Sequence, residues 1–155
     1  MQRIIIHHTA GSYKPNEIDF EAYHILIDNL GNVYKGKYKI EDNENCKDLI
    51  YAQHTYLGNT GSIGIAACCN YGFTLEHKQS LYPFTLKQFN KLCIECARLC
   101  KEYNITINHI YTHWGFDKIH NIKQGKIDIT YLPWKPELNP EQVQNYFRQT
   151  IRKYM

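Results

Sequence analysis

Residues 2–11 read Gln2-Arg3-Ile4-Ile5-Ile6-His7-His8-Thr9-Ala10-Gly11, and this stretch decides how the rest of the chain is read. Three consecutive β-branched residues, Ile4 to Ile6, have the character of a buried strand. They run straight into two histidines and then into small, turn-prone residues. A strand that ends this way sets an imidazole at the rim of a sheet, where open α/β folds build their sites. Neutral imidazole is the commonest metal ligand among side chains. Neighbouring residues on a strand face opposite sides of the sheet, so one strand can direct only one of the two histidines at a given point.

Working outward, Asn16 is placed to cap a short helix over Glu17–Ala22. Tyr23 to Asp28 reads as a strand, Asn29-Leu30-Gly31-Asn32 as a turn, and Val33 to Gly36 as the returning strand of a hairpin. Residues 37–49 are polar and read as a surface loop, and Ile50 to Gln53 is expected to add a short strand. Ser62 to Cys69 carries no charge and reads as a central strand. Thr85-Leu86-Lys87-Gln88 is a capping box, with Phe84 and Phe89 at the staple positions. The helix it opens shows apolar residues at Phe89, Leu92, Cys93, Cys96, Leu99, Cys100 and Tyr103, and Asn104 is its stop. Asn108 to Thr112 reads as a strand ending in His113, followed by a long irregular stretch to Leu138. Asn139-Pro140-Glu141 opens a last helix with an apolar stripe at Val143, Phe147 and Ile151. The order predicts an α/β fold: a single mixed central β-sheet flanked by helices, with the site in a groove at the sheet rim.

The 155 residues suit one domain, and the expectation is a single domain over 1–155 with no separate binding domain. A net charge of +3 with no Lys/Arg run longer than two residues is not the footprint of a nucleic-acid binder, and no Cys/His cluster has finger spacing. The six cysteines look like core positions: Cys93, Cys96 and Cys100 share one helix face, where free thiols pack as small hydrophobes. That favours a chain folded in a reducing cytoplasm. Met1 is followed almost at once by the first strand, without a charged n-region and apolar h-region, so synthesis without a signal peptide is expected. No apolar run approaches the ~20 residues of a membrane span, so no membrane insertion is expected.

Two predicted strands end in histidine, at His7 and His113. Two imidazoles supply half of a tetrahedral zinc shell, and a catalytic zinc needs one more protein ligand and an open position for water. Asp128, in Gly125-Lys126-Ile127-Asp128, is the candidate. In an extended segment Lys126 points the same way as Asp128 and would set a cation where an oxyanion develops.

In this order the pieces resemble the zinc-dependent N-acetylmuramoyl-L-alanine amidases shared by phage lysozymes, bacterial wall amidases and animal peptidoglycan recognition proteins. Ile4 to Gly11 is similar to the family's first-ligand strand, and Tyr23 to Gly36 to its hairpin. Ala52-Gln53-His54 with Asn59 to Ala66 is similar to its groove loop and central strand. Thr112-His113 and Gly125 to Asp128 match the second and third ligand segments, so the resemblance runs from about Arg3 to Trp134. It implies one Zn2+ held by His7, His113 and Asp128, with His8 at a non-ligand position. It implies catalytic roles for Tyr23 and Lys126 and substrate-binding roles for His54, Thr55 and Tyr56. The implied reaction is hydrolysis of the amide between N-acetylmuramic acid and L-alanine of peptidoglycan. The implied partner is peptidoglycan or a muropeptide, met by a monomer that acts on the cell wall after release or export, as a phage endolysin does. The alternative is a recognition module that binds muropeptide without cutting it. This chain departs from the family pattern at Asp128-Ile129-Thr130, where many relatives have Asp-Pro-Gly. It departs again at Trp114-Gly115, where many have an acidic residue. The stretch from His113 to Asp128 also holds Asp117 and His120 as rival third ligands. His24, His77 and His109 receive no role.

Overall fold

The computed structural model describes residues 1–155. Four strands, β1 (Arg3–His8), β2 (Ile25–Ile27), β4 (Ser62–Ala67) and β5 (Ile110–Thr112), are parallel, and β3 (Val33–Lys35) runs antiparallel to β2 as the hairpin partner. The strand order is β3-β2-β4-β1-β5. The mixed sheet and the flanking helices α1 (Glu17–Ala22), α2 (Leu86–Tyr103), α3 (His113–Ile119) and α4 (Pro140–Arg152) are the predicted architecture.

The two faces of the sheet differ in depth. Ile4, Ile6, Ile63, Ile65 and Ala67 point into the main core, where Phe89, Leu92, Cys93, Cys96 and Leu99 of α2 meet Val143, Phe147 and Ile151 of α4. The capping box at Thr85 forms as expected, with Thr85 Oγ1 accepting from the Gln88 amide and Gln88 Oε1 accepting from that of Thr85. Asn104 ends α2 in the left-handed conformation. All six cysteines are unpaired, and all but Cys46 are buried. On the opposite face, Leu26, Ala66 and Cys68 form only a small cluster under Phe20, Tyr23 and Tyr34. Alternation along β1 assigns His8, paired with Ala67, to the thick face and His7, paired with Ala66, to the thin one. No helix is long and apolar enough to cross a membrane.

Three expectations are corrected. Ile50 to Gln53 forms no strand. The preceding segment is more than a surface loop: it makes two 3-10 turns, Ile40–Glu44 and Cys46–Asp48, around a fully buried Asn43. The Asn43 side chain takes up both the amide and the carbonyl of Ala52, so local side-chain bonds replace a ladder there. Finally, His113 does not end a strand. Thr112 accepts from the Gly115 amide and caps α3, which makes His113 the first helical residue in a stretch read as irregular. Gly115 is required there because a Cβ would strike the Gln144 side chain, whose Oε1 accepts from the Thr112 amide at 3.0 Å.

Candidate active site

The site lies at the carboxyl ends of the parallel strands, on the thin face. His7 arrives from β1 and His113 from the first turn of α3. Asp128 arrives from a tight turn in which Thr130 bonds back to the Ile127 carbonyl through both its amide and its hydroxyl. Ile129 follows Asp128 with φ of 52°, a left-handed conformation that a β-branched residue rarely adopts. Such strain persists where the surroundings over-determine it, and here it turns the chain so that Asp128 faces the histidines.

One ligand atom from each of His7, His113 and Asp128 lies within 4.8 Å of the others, and all three residues are buried. Asp128 Oδ2 stands 3.2 Å from His7 Nδ1 and 3.5 Å from His113 Nδ1. Donors bound tetrahedrally at ~2.0–2.1 Å sit about 3.3 Å apart. Burial pushes the His7 imidazole down to about 4, against the help of Asp128. Asp128 is itself pushed up by burial, but His113 and His7 outweigh that and hold it well below the usual carboxylate range.

The hydrogen bonds behind His7 assign its tautomer. His54 Nε2 is 3.4 Å from the Ser62 carbonyl, which only accepts, so that nitrogen carries the proton. His54 Nδ1 therefore accepts from the Thr55 hydroxyl at 2.8 Å, and His7 Nε2, 3.2 Å from that nitrogen and 3.3 Å from Thr55 Oγ1, is left as the donor to this pair. With its proton on Nε2, His7 turns an Nδ1 lone pair toward the lone pairs of Asp128. Two acceptors at hydrogen-bonding distance need a cation between them. His113 adds to the case, since neither of its ring nitrogens has a hydrogen-bond partner although both are buried. The three residues are therefore a fit site for one metal ion.

His8 does not join this group. Its Nδ1 pairs with Asn70 Nδ2 at 2.8 Å. Asp117 and His120, the rival ligands, stand elsewhere: Asp117 lies behind His113, facing Nε2 at 3.6 Å, and His120 bonds back to the Phe116 carbonyl and stacks on the Phe116 ring. Tyr23 is the C-cap of α1 rather than the first residue of β2. Its ring centroid is 5.1 Å from that of His7, and its hydroxyl is 3.4 Å from the His8 carbonyl. Burial raises its pKa, and the charge of Asp128 adds to this. Lys126, His113, His54, Tyr51 and Tyr56 border a groove of about 500 Å³ beside the triad. Tyr56 is 59% exposed at its edge, whereas Thr55 is 1% exposed and is engaged with His54 and His7. A larger hollow of about 600 Å³ between the hairpin and α2 contains none of the triad.

Sequence reasoning missed the supports. His24 is buried, its Nδ1 accepting from the Gly64 amide at 2.9 Å while Nε2 meets Asn43 Oδ1 at 3.0 Å. Gly64 itself leaves the space that the His54 ring fills. The one available signal was Asn43, an amide in a charged run with no local capping partner in sequence.

Two imidazoles and a carboxylate converge at the open end of the parallel sheet, an arrangement able to hold one metal ion. Residues 1–130 match the family model described as N-acetylmuramoyl-L-alanine amidase, and the chain belongs to that family. It is an amidase that hydrolyses peptidoglycan amide bonds. The fold is similar to that of the PlyG catalytic domain, with a TM-score of 0.56 and 19% identity over 99% of this chain and 82% of that one. It is similar also to PlyL, at 0.55 and 19% over 97% and 82%. The Ph2119 endolysin of a Thermus scotoductus bacteriophage gives 0.55 and 19% over 86% and 79%. A search of curated proteins found no match to the sequence.

Proposed function

We propose that the chain is a zinc-dependent N-acetylmuramoyl-L-alanine amidase in which His7 Nδ1, His113 Nδ1 and Asp128 Oδ2 hold one Zn2+. The observation that carries this reading is the approach of His7 Nδ1 to Asp128 Oδ2 at 3.2 Å, a contact that a cation bridges once the His7 proton is assigned to Nε2. A zinc ion held there supplies a Lewis acid that polarises a carbonyl and brings the pKa of water down to ~7. The other roles belong to the chain's own groups. Lys126 stands at the groove and presents positive charge to the oxyanion that develops as water adds to the lactyl carbonyl. Tyr23, kept protonated by burial, donates a hydrogen bond and does not act as a base. Tyr56 and the largely buried His54 line the substrate groove, and Thr55 acts from behind by holding His54. When the C–N bond breaks, the L-alanine amine of the stem peptide leaves with a proton that derives from the attacking water, whose oxygen stays on the lactyl carboxylate. The domain acts as a monomer on peptidoglycan after release or export, as phage endolysins do.

Chelation tests the metal. Removing zinc is expected to abolish release of stem peptides from purified wall, followed by mass spectrometry, and added Zn2+ to restore it. Full activity in the chelated protein would overturn the reading, and so would binding of intact muropeptide with no cleavage in the zinc-loaded protein.

A further inference from the structure

Asp117 is a buried carboxylate without a partner. It lies four residues after His113 on α3, so the two side chains share one helix face. It is 5% exposed, and neither of its oxygens makes a hydrogen bond. A buried carboxylate left in this way is costly unless it faces a donor or a positive charge. The group it faces is His113 Nε2, at 3.6 Å from Oδ1. That nitrogen is also buried and also without a partner. The two unsatisfied groups point at each other across a gap slightly longer than a hydrogen bond, and a small rotamer adjustment closes it.

The two carboxylates therefore stand on opposite sides of the same ring. Asp128 is 3.5 Å from Nδ1 and Asp117 is 3.6 Å from Nε2. The two nitrogens of an imidazole diverge, so one ion held between His7 Nδ1 and His113 Nδ1 cannot also reach Asp117. This geometry removes Asp117 as a third ligand and gives it a different task. Histidines that bind metal almost always donate their other N–H to a carboxylate, carbonyl or water, which fixes the tautomer and the ring orientation and raises basicity. His7 has its acceptor in His54. His113 has no other candidate than Asp117.

We propose that Asp117 is the positioning residue of this amidase's metal site: it accepts the Nε2 proton of His113, locks the tautomer that leaves Nδ1 free for the metal, and aims the ring at Asp128. The inference rests on the reading that His7, His113 and Asp128 hold zinc.

The test is zinc affinity by competition with a chromophoric chelator, using the full chain and Zn2+ alone, for wild type, Asp117→Ala, Asp117→Asn and His113→Ala. Melting curves of the metal-free proteins check that each is folded. Asp117→Ala is expected to weaken zinc binding about 10–100-fold. Asp117→Asn, which keeps an acceptor oxygen and loses the charge, is expected to weaken it less. Independently of zinc, the ring ¹⁵N shifts of His113 in the metal-free wild type should show the proton on Nε2, with a mixture of tautomers in Asp117→Ala. Wild-type affinity in Asp117→Ala overturns the proposal, as does a proton on Nδ1 of His113. Loss of zinc as complete as in His113→Ala makes Asp117 a ligand and overturns it too. If wild type binds no zinc, the metal reading itself fails, and that result is distinct from the others.

Discussion

Gly64→Ala offers a test of how the site is built without replacing a ligand, groove residue or charge. Gly64 sits in the middle of β4, paired with Ile5, at a backbone conformation any residue can adopt. What the position lacks is room. A Cβ there would strike His54 Cγ first, and would lie 2.6 Å from Cδ2 and 2.9 Å from Cβ of the same residue. Since carbon–carbon contact is comfortable only beyond about 3.4 Å, the ring has to retreat by about 1 Å. His54 Nδ1 now stands 3.2 Å from His7 Nε2, so a retreat of that size along the bond takes it out of hydrogen-bonding range. His7 then loses the acceptor that fixes its proton on Nε2. Losses of such outer partners cost 10–100-fold in metal affinity, roughly 1.4–2.7 kcal/mol. Overpacking should add a separate cost of about 1–3 kcal/mol to the stability of the metal-free fold. The two effects are read apart by chelator competition for zinc and by urea unfolding of the metal-free protein. A Gly64→Ala protein that is destabilised yet binds zinc like wild type would refute the reasoning, because His54 would then fill space without positioning His7.

The two adjacent histidines should behave differently. His7→Ala is expected to lose zinc and peptide release together. His8→Ala should keep zinc and lose about 1–3 kcal/mol of stability by orphaning Asn70 Nδ2, and equal zinc loss in both would contradict the strand geometry. Asp128→Ala should no longer hold zinc, and unchanged zinc content would show that the third ligand is another residue. In the metal-free protein, His7 is held down to about 4, so the unfolded chain binds the extra proton between that value and ~6.5. Stability is then fully present above pH ~6.5 and falls as pH drops toward 4, by about 3 kcal/mol from this residue. His24 and His54, also lowered by burial, act in the same direction. Urea midpoints at a series of pH values check this, and a midpoint that does not fall on acidification would exclude neutral buried histidines. Phe89→Ala, which empties the space where α2 meets α4 and Trp134, should cost about 3–5 kcal/mol with zinc affinity retained, as read by thermal melts and chelator competition.

Much of the fold was legible because its signals are local. The β-branched run of β1, the capping box at Thr85, the helix start at Asn139-Pro140 and the hairpin turn each depend on a few neighbouring residues, and each formed where expected. The assignment of His7 and His8 to opposite faces follows from strand alternation alone, and the sheet bears it out. Where local reading went astray, long-range contacts had decided. The polar run at 37–49 looks solvated in sequence, but Asn43 is buried because Ala52, Asn59 and His24 surround it. α3 was missed because its short span has no apolar period of its own and forms against β5, β1 and α4.

The sequence by itself determined which chemistry the chain can carry: two imidazoles and a carboxylate in the family's order, on a strand and a loop that read as rim positions. Only the tertiary structure decided what stands behind each of them. His54 and Thr55 meet His7 across 47 and 48 residues of chain, and Asp117 meets His113 because a helix begins there that the sequence did not announce. Ligand type is a property of a residue and survives in a linear reading. Tautomer and ring orientation depend on which groups burial brings within about 3.5 Å of a nitrogen, and that is settled by packing.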